Sequence, residues 1–537
     1  MPEFNLVDRE WIPCLMRDGN QPRELSLRDV LLEAHNIHEV FDDSPLVTVA
    51  LHRLLLAILH RNFGPARFGE WKELWKCGAW DGQVITKYLE QWRHQFDLFD
   101  QTRPFYQVKR MANAGLQPAT LLALEISGSQ ATLFDHNFDA TPPAMSAASA
   151  ARYVIARQAF SIGFGKSEPF YLQDSILVRG LTFLVFGNNL FETLMLNMLI
   201  YTRSRPVEWN GEDLPVWEQE EPAAPEKVGT LATGYLDYLT WQSRRIHLLA
   251  SDDSPKTRQC QIQQNLVLAD AQGILDPFKC YREVKEKGLQ PMPLNPAKAL
   301  WRESHTLFQQ TTQTKRRPEV FELAARVEAA RRCGEIEAQP AYSFAAYGFA
   351  TKIGQAANVE FWSRERLPLP LTYLTEPYLV ESLRLALKLA DDVGEGLKDS
   401  IRLLARLLIA PLSNDKNARQ PDAGDVSNLV SGFASEEFYW ARLEPAFKKL
   451  LTDLPEDQRA NRAAEDLPDT RAATEWARML LETARAALSK TINSLSGSAR
   501  ELKAGAEAER RFNGLMKRIR ETHPRLFPPK PETGGEE

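Results

Sequence analysis

Between Leu46 and Asn62 the apolar positions Val49, Leu51, Leu54, Leu55, Ile58 and Leu59 recur at helical spacing, and Asp43-Ser44-Pro45 stands before them as a start signal. The pattern predicts a helix over residues 46–62. Ser26 reads as an N-cap for a helix from Leu27 to about Val40. Two further helices are expected near Phe68–Lys76 and Asp81–Phe96. Shorter apolar runs predict strands: Phe4–Met16 as a strand or hairpin with Asp18-Gly19-Asn20 as turn chemistry, then Thr120–Ile126 and Arg179–Phe186. Glu208–Val228 is acidic and proline-rich and reads as an exposed excursion. Up to about residue 370, helices and strands are therefore interleaved.

After Pro370 the pattern changes. Leu383, Leu387, Ala390, Val393, Leu397, Ile401, Leu404 and Leu408 step by three or four without a break, which is one core-facing stripe on a long helix. Pro411 and Ser413-Asn414-Asp415 end it, and helical stretches follow at about 424–453, 470–494 and 498–521. Four long helices with short-to-moderate connections predict a four-helix bundle. The expected fold class is α+β: a mixed N-terminal domain over 1–370, a four-helix bundle over 371–527, and a disordered Pro/Gly/Glu tail over 528–537.

Composition sharpens this little. At 537 residues the chain is long enough for two to four domains, and 44% hydrophobic with 25% charged residues is an ordinary globular balance. The N-terminus has no basic segment followed by an apolar run, and the most apolar stretch, Leu181–Tyr201, is broken by Gly187, Asn188, Asn189, Glu192 and Asn197. A cytoplasmic protein is the expectation. Cys14, Cys77, Cys260, Cys280 and Cys333 are scattered, without C-x-x-C or Cys/His zinc spacing, and read as isolated thiols. The net charge is −6. A protein that grips phosphates alone usually carries a basic excess, so this chain either binds no nucleic acid or does so through a local patch beside more basic partners.

Catalytic constellations are missing from the sequence. Gly163-Phe164-Gly165-Lys166-Ser167 ends in G-K-S, but its glycines are too close for a phosphate loop. His35 and His38 are three apart on the expected 27–40 helix and would share a face, without a third ligand. His52 and His60 read as packing or surface residues. Asp42-Asp43 and Asp391-Asp392 are adjacent pairs whose members point apart, and Asp135-His136 is a lone acid/base fragment. A binding protein without cofactor or metal is favoured over an enzyme. Four segments stand out as unusual loops: Ser127–Asp139 running to Pro142-Pro143; Ile162–Ser167, where two glycines and Lys166 permit close approach to phosphate; Asp276-Pro277-Phe278-Lys279, a turn presenting a lysine; and Gly348–Asn358.

In their order along the chain these segments resemble the CasA family, the large subunit of the type I-E CRISPR Cascade surveillance complex. The resemblance is carried by NLVDREWIPCL at residues 5–15, Arg103-Pro104-Phe105-Tyr106-Gln107, DPFKCYRE from Asp276, Leu300-Trp301-Arg302, and Gly354-Gln355-Ala356 before Phe361-Trp362-Ser363-Arg364-Glu365. It spans nearly the whole chain. It implies a non-catalytic subunit that recognises a protospacer-adjacent motif (PAM) in duplex DNA, starts unwinding so that guide RNA can pair, and recruits a helicase–nuclease in antiviral defence. It implies other Cascade subunits, the guide RNA 5′ handle and PAM-bearing target DNA as partners, and no membrane. By the same resemblance, Gly163 and Gly165, followed by Lys166, lie along the PAM, Lys279 enters the minor groove, and Gln355, flanked by Gly354 and Ala356, is a wedge beside the PAM. Gln130, with Phe134, Asp135, His136 and Asn137 at the loop tip, docks onto the guide handle and neighbouring subunits. Lys285 and Lys287 lie close to Lys279 in sequence. Minor-groove contacts discriminate loosely, and a neutral glutamine can fill the gap of a broken base step, whose cost is a few kcal/mol. Arg500, Lys503, Arg510, Arg511, Lys517, Arg518, Arg520 and Arg525 give the end of the bundle a basic character that suits either a solvated face, a displaced strand or a neighbouring subunit. Two alternatives stay open: a metal-dependent nucleic-acid hydrolase built on Asp135 and His136, and a scaffold without DNA contact.

Overall fold

The computed structural model describes residues 3–527 except 20, 110, 112–113, 125–142, 164–172, 210, 221–228, 252–253, 270–272, 352–358, 411–420 and 458–469. The chain divides into two compact units: Met1–Lys298 with Gln310–Leu367, and Ala299–Gln309 with Pro368–Glu537. The short segment 299–309 therefore belongs with the C-terminal residues, a division that a single boundary near 370 does not contain.

The first unit is organised around the Pro45–Phe63 helix. Pro at its first turn and Ser44 at the N-cap start it where the sequence signals a start. Its residues are apolar nearly all round, and every residue from Pro45 to His60 is buried. Among the described residues it is the one helix long and apolar enough to cross a membrane, and 83% of that span is buried inside the protein, as befits a core helix. The Leu181–Tyr201 stretch instead folds into a Thr182–Phe186 strand and a Leu190–Asn197 helix. Polar groups on the core helix differ: some are hydrogen-bonded, while both His60 ring nitrogens are buried without a partner. Arg53 donates to the Tyr238 carbonyl at 2.9 Å, and His60 lies against the rings of Tyr201 and Tyr235 at 5.5 and 5.1 Å.

Among the described residues four small sheets accompany this core. Ile12–Met16 pairs with Pro22–Leu25 on one side and Ile37–Val40 on the other. The helix capped by Ser26, whose side chain accepts from the Asp29 amide, is only Leu27–Leu32. The expectation of a helix to Val40 is corrected: Ile37–Val40 is a strand, because its pairing with Cys14–Met16 buries Ile37 and Val40. His38 is therefore on a strand and does not share a helix face with His35. A second sheet runs Val359–Pro370, Ala341–Thr351, Thr182–Phe186. A third joins Gln117–Pro118, Ser254–Gln264 and Met145–Ser146, with Arg244–Ser251 also on Ser254–Gln264. The fourth places Gly288–Pro291 and Lys315–Arg316 on either side of Tyr281–Val284. The strand expected over Thr120–Ile126 is, where described, a 3-10 turn at Ala119–Leu122.

The acidic 208–228 segment is not a free excursion. Trp217 is 3% exposed and packs with Phe96 and Phe105, and its indole N–H donates to Tyr88. Glu218 accepts a two-pronged contact from Arg61 and a hydrogen bond from Tyr88. An apolar ring in an otherwise acidic stretch is the anchor that an average over the segment hides.

In the second unit the Pro377–Ile409 helix carries the predicted stripe: Leu383, Leu387, Ala390, Val393, Leu397, Ile401 and Leu404 are all buried, while Leu408 near its end is half-buried. Around it pack Ala423–Phe433, Ser435–Asp457, Arg471–Asn493 and Ala499–Thr522. The helix expected over 424–453 is broken at Ala434, which adopts a left-handed φ of 49°. Trp301, 1% exposed, is inserted among Phe447, Trp440 and Trp476 with ring centroids 4.8, 5.9 and 6.3 Å away. The Arg302 guanidinium lies 3.4 Å over the Trp440 ring and pairs with Asp391. Removing a buried tryptophan of this kind costs about 3–5 kcal/mol.

Candidate nucleic-acid interface

The predicted contact residues divide between described and undescribed segments. Gln130, Phe134, Asp135, His136, Asn137, Gly165, Lys166, Gly354, Gln355 and Ala356 lie outside the described residues. Gly163 and Lys279 lie within them. The segment containing Gln355 joins two strands that are neighbours in one sheet, Ala341–Thr351 and Val359–Pro370.

Gly163 sits where two backbones cross. Its amide donates to Asp174 Oδ1 at 2.8 Å, and a Cβ at this position would stand 2.5 Å from the Asp174 nitrogen and 2.6 Å from the Gln173 carbonyl carbon. Only glycine allows that approach. The crossing is held by Arg244, which is 1% exposed and donates to the carbonyls of Ser161, Ile162 and Gln173, and to Gln264 Oε1. Burial pushes this guanidinium down to about 9. Arg244 escaped the sequence reading because an Arg-Arg pair at a strand start looks like surface charge. The signal available was its place in a run of otherwise core-facing residues, Trp241 to Ile246.

Lys279 corrects an expectation. The turn does not present it outward: the residue is 4% exposed, and its ammonium donates to the carbonyls of Arg179 at 2.6 Å and Ile176 at 3.3 Å. The turn is locked from beneath. Asp276 Oδ1 accepts from the Phe278 amide, Asp276 Oδ2 accepts from the Tyr238 hydroxyl, and Thr182 bridges to Lys279 through the backbone. With the backbone pinned, the side chain points inward, and burial pushes its pKa down to about 8.

The exposed cations lie on the hairpin that follows. Tyr281–Val284 and Gly288–Pro291 are joined by Lys285, Glu286 and Lys287, all exposed, with Glu286 and Gly288 both at a φ of 66°. Lys315–Arg316 pairs alongside and places Lys315 directly opposite Arg282. Cations opposite each other in a ladder repel.

On the last helix the basic residues separate by role. Arg500 caps another helix: it donates to the Leu407 carbonyl at 2.9–3.0 Å and to that of Ala410. Arg510 pairs with Glu507 and Arg511 with Asp399. Lys503, Arg518 and Arg520 are exposed, as is Arg525 beyond the helix end. Among the described residues no group of three or more His, Cys, Asp or Glu side chains is placed to hold a metal ion.

Comparison with known proteins bears on the whole chain. The family model described as CRISPR-associated protein Cse1 matches residues 5–487. A Thermus thermophilus protein described as CRISPR-associated protein CasA/Cse1 is 29% identical over 532 residues, covering 96% of this chain and 98% of the relative. The crystal structure of Thermus thermophilus CasA superposes with a TM-score of 0.77 at 26% identity, over 96% of this chain and all of that one. A chain from a structure described as a CRISPR RNA-guided surveillance complex shares the fold, with a TM-score of 0.72 at 20% identity over 96% of this chain and all of that one.

Proposed function

The chain belongs to the CRISPR-associated Cse1 (CasA) family, and from that premise we propose that it is the large, non-catalytic subunit of an RNA-guided Cascade-type complex that recognises the PAM in duplex DNA and starts its unwinding. The observation that carries the reading is a family match running from residue 5 to residue 487, through every segment singled out as a loop with unusual chemistry. In this reading Gln355, between two paired strands, is the neutral wedge, and the 130–137 loop docks on the guide handle and neighbouring subunits. The lysine role passes from Lys279, whose ammonium is committed to two carbonyls, to Lys285 and Lys287 at the hairpin tip. Pairing with guide RNA then reads the target sequence, an exchange close to balanced in free energy, so that a small local push suffices. An acidic subunit fits this division of labour, because partners hold the guide and most of the target. The C-terminal unit is read as a four-helix bundle, with Ala423–Phe433 and Ser435–Asp457 as one interrupted helix, and as part of the platform for a helicase–nuclease.

The test is a reconstituted complex carrying Gln355→Ala, or Lys285→Ala with Lys287→Ala. Assembly by size exclusion is expected to be unchanged, while opening of the duplex beside the PAM, followed with a fluorescent base analogue, slows at least tenfold. Unchanged opening in both variants overturns the reading.

A further inference from the structure

A cleft of about 1,150 Å³ in the first unit is not used by the proposed DNA-reading segments. Its walls come from the 204–208 turn, the 273–281 segment, Gln310–Arg317 and one face of the Glu319–Arg332 helix. Most of the charge in it is already engaged. Asp276 takes Arg53 and Tyr238, Lys279 takes two carbonyls, and Glu322 takes the Arg317 fork at 2.7 and 2.8 Å. Three guanidiniums are left over. Arg205, Arg316 and Arg326 are exposed, and among the described residues none of them forms an ion pair within 4 Å. All three line the same cleft as the half-buried carboxyl of Glu319.

We infer that this cleft is a phosphate-binding site for a nucleotide, with Arg205, Arg316 and Arg326 as the phosphate cradle and Leu231, Ile274 and Leu275 as the wall for the nucleoside. Three cations against the two carboxyls left unpaired, Glu319 and Glu208, leave a net positive site, and planar guanidiniums suit the oxygens of a phosphate. The volume exceeds the usual range for a small-molecule site, so a nucleotide fits with room for a neighbour. Glu319 guards the site. Burial raises its pKa, although Arg205, Arg326 and Arg316 pull it down. Ionised, it competes with phosphate for the guanidiniums; protonated, its hydroxyl donates to a phosphate oxygen. Glu208 is the other carboxylate on this wall not tied to a cation among the described residues. The inference does not rest on PAM reading: its cradle uses neither Gln355 nor the hairpin-tip lysines Lys285 and Lys287, although Arg316 lies on the strand beside that hairpin.

The experiment is calorimetric titration of the purified full chain with a deoxymononucleoside 5′-monophosphate, with inorganic phosphate, and with a short single-stranded oligonucleotide. One-to-one binding of the mononucleotide, competed by phosphate, is expected. Arg316→Ala and Arg326→Ala should each weaken it about tenfold. Glu319→Gln should tighten it and remove most of the excess pH dependence relative to the parent. If the oligonucleotide binds more tightly than the mononucleotide through the same arginines, the source is a strand; if not, it is a free nucleotide. Absence of saturable binding by all three probes overturns the inference. So does binding that survives a folded triple variant lacking Arg205, Arg316 and Arg326.

Discussion

Replacing Lys279 by methionine separates a buried structural lysine from one that reaches DNA. The native side chain is almost wholly buried, with two carbonyl acceptors and a pKa pushed to about 8, against an ordinary value of 10.5. The sign follows from where the protons are. Between about pH 8 and 10.5 the unfolded chain holds a proton at this site that the folded chain has released, so stability rises with pH through that window. Each pKa unit is worth about 1.4 kcal/mol, so the folded state gains about 2 kcal/mol from this group alone between pH 7 and about 9.5. Methionine does not titrate. It also leaves the Ile176 and Arg179 carbonyls without a donor, at about 1–3 kcal/mol, which near pH 7 roughly offsets the relief of burying no charge. Parent and Lys279→Met should therefore have similar denaturation midpoints near pH 7, and the parent should pull ahead by about 2 kcal/mol at pH 9.5. Urea denaturation followed by tryptophan fluorescence at several pH values reads this directly. A difference that stays constant across the range refutes the buried-ammonium reasoning. The same variant in a reconstituted complex should bind PAM-containing duplex like the parent; a large loss there, with stability intact, restores the lysine to the DNA.

Other substitutions probe other links. Gly163→Ala forces a Cβ into the Gln173–Asp174 backbone and should cost about 1–3 kcal/mol in thermal unfolding, with reduced duplex binding. Ala434→Gly relieves a left-handed alanine and should raise the stability of the helical unit by up to about 1 kcal/mol, read as a higher midpoint. His60 is buried and its pKa is pushed to about 3, so the unfolded chain gains a proton there as pH falls below about 6.5 and stability drops; His60→Phe should flatten that acid limb. Trp301→Ala should destabilise the helical unit by about 3–5 kcal/mol, measured by denaturation.

Much of the fold is legible in the residues themselves. Local periodicity fixes the Pro45–Phe63 and Pro377–Ile409 helices, because their burial follows from their own apolar patterns. What periodicity hides is long-range. Ile37–Val40 looks helical until it finds Cys14–Met16 as a partner. Trp217 looks like part of a solvated acidic stretch until Phe96 and Phe105 cover it. Lys279 reads as an outward lysine because the direction of a turn is set by what locks it from beneath, here Asp276 and Tyr238. Of the candidate interface, order along the chain suggested the segments and set Lys285 and Lys287 beside Lys279; that those two are exposed at a hairpin tip while Lys279 is buried follows only from strand pairing and the locked turn. The break at Ala434 left no mark in the pattern, since alanine is a good helix former and its left-handed φ is imposed by the turn between two helices.

The membership of residues 299–309 in the second unit bears on how the protein is made. Trp301 leaves the ribosome well before Trp440, Phe447 and Trp476 exist to receive it. At ordinary translation rates that wait is on the order of ten seconds, during which a large apolar ring and its neighbours stand bare and are a natural chaperone client. The dependence also runs the other way. A C-terminal fragment beginning after residue 370 would carry the helices but not the tryptophan that plugs them, so it would expose an unfilled aromatic hole to solvent. Supplying a peptide spanning 299–309 should rescue its solubility.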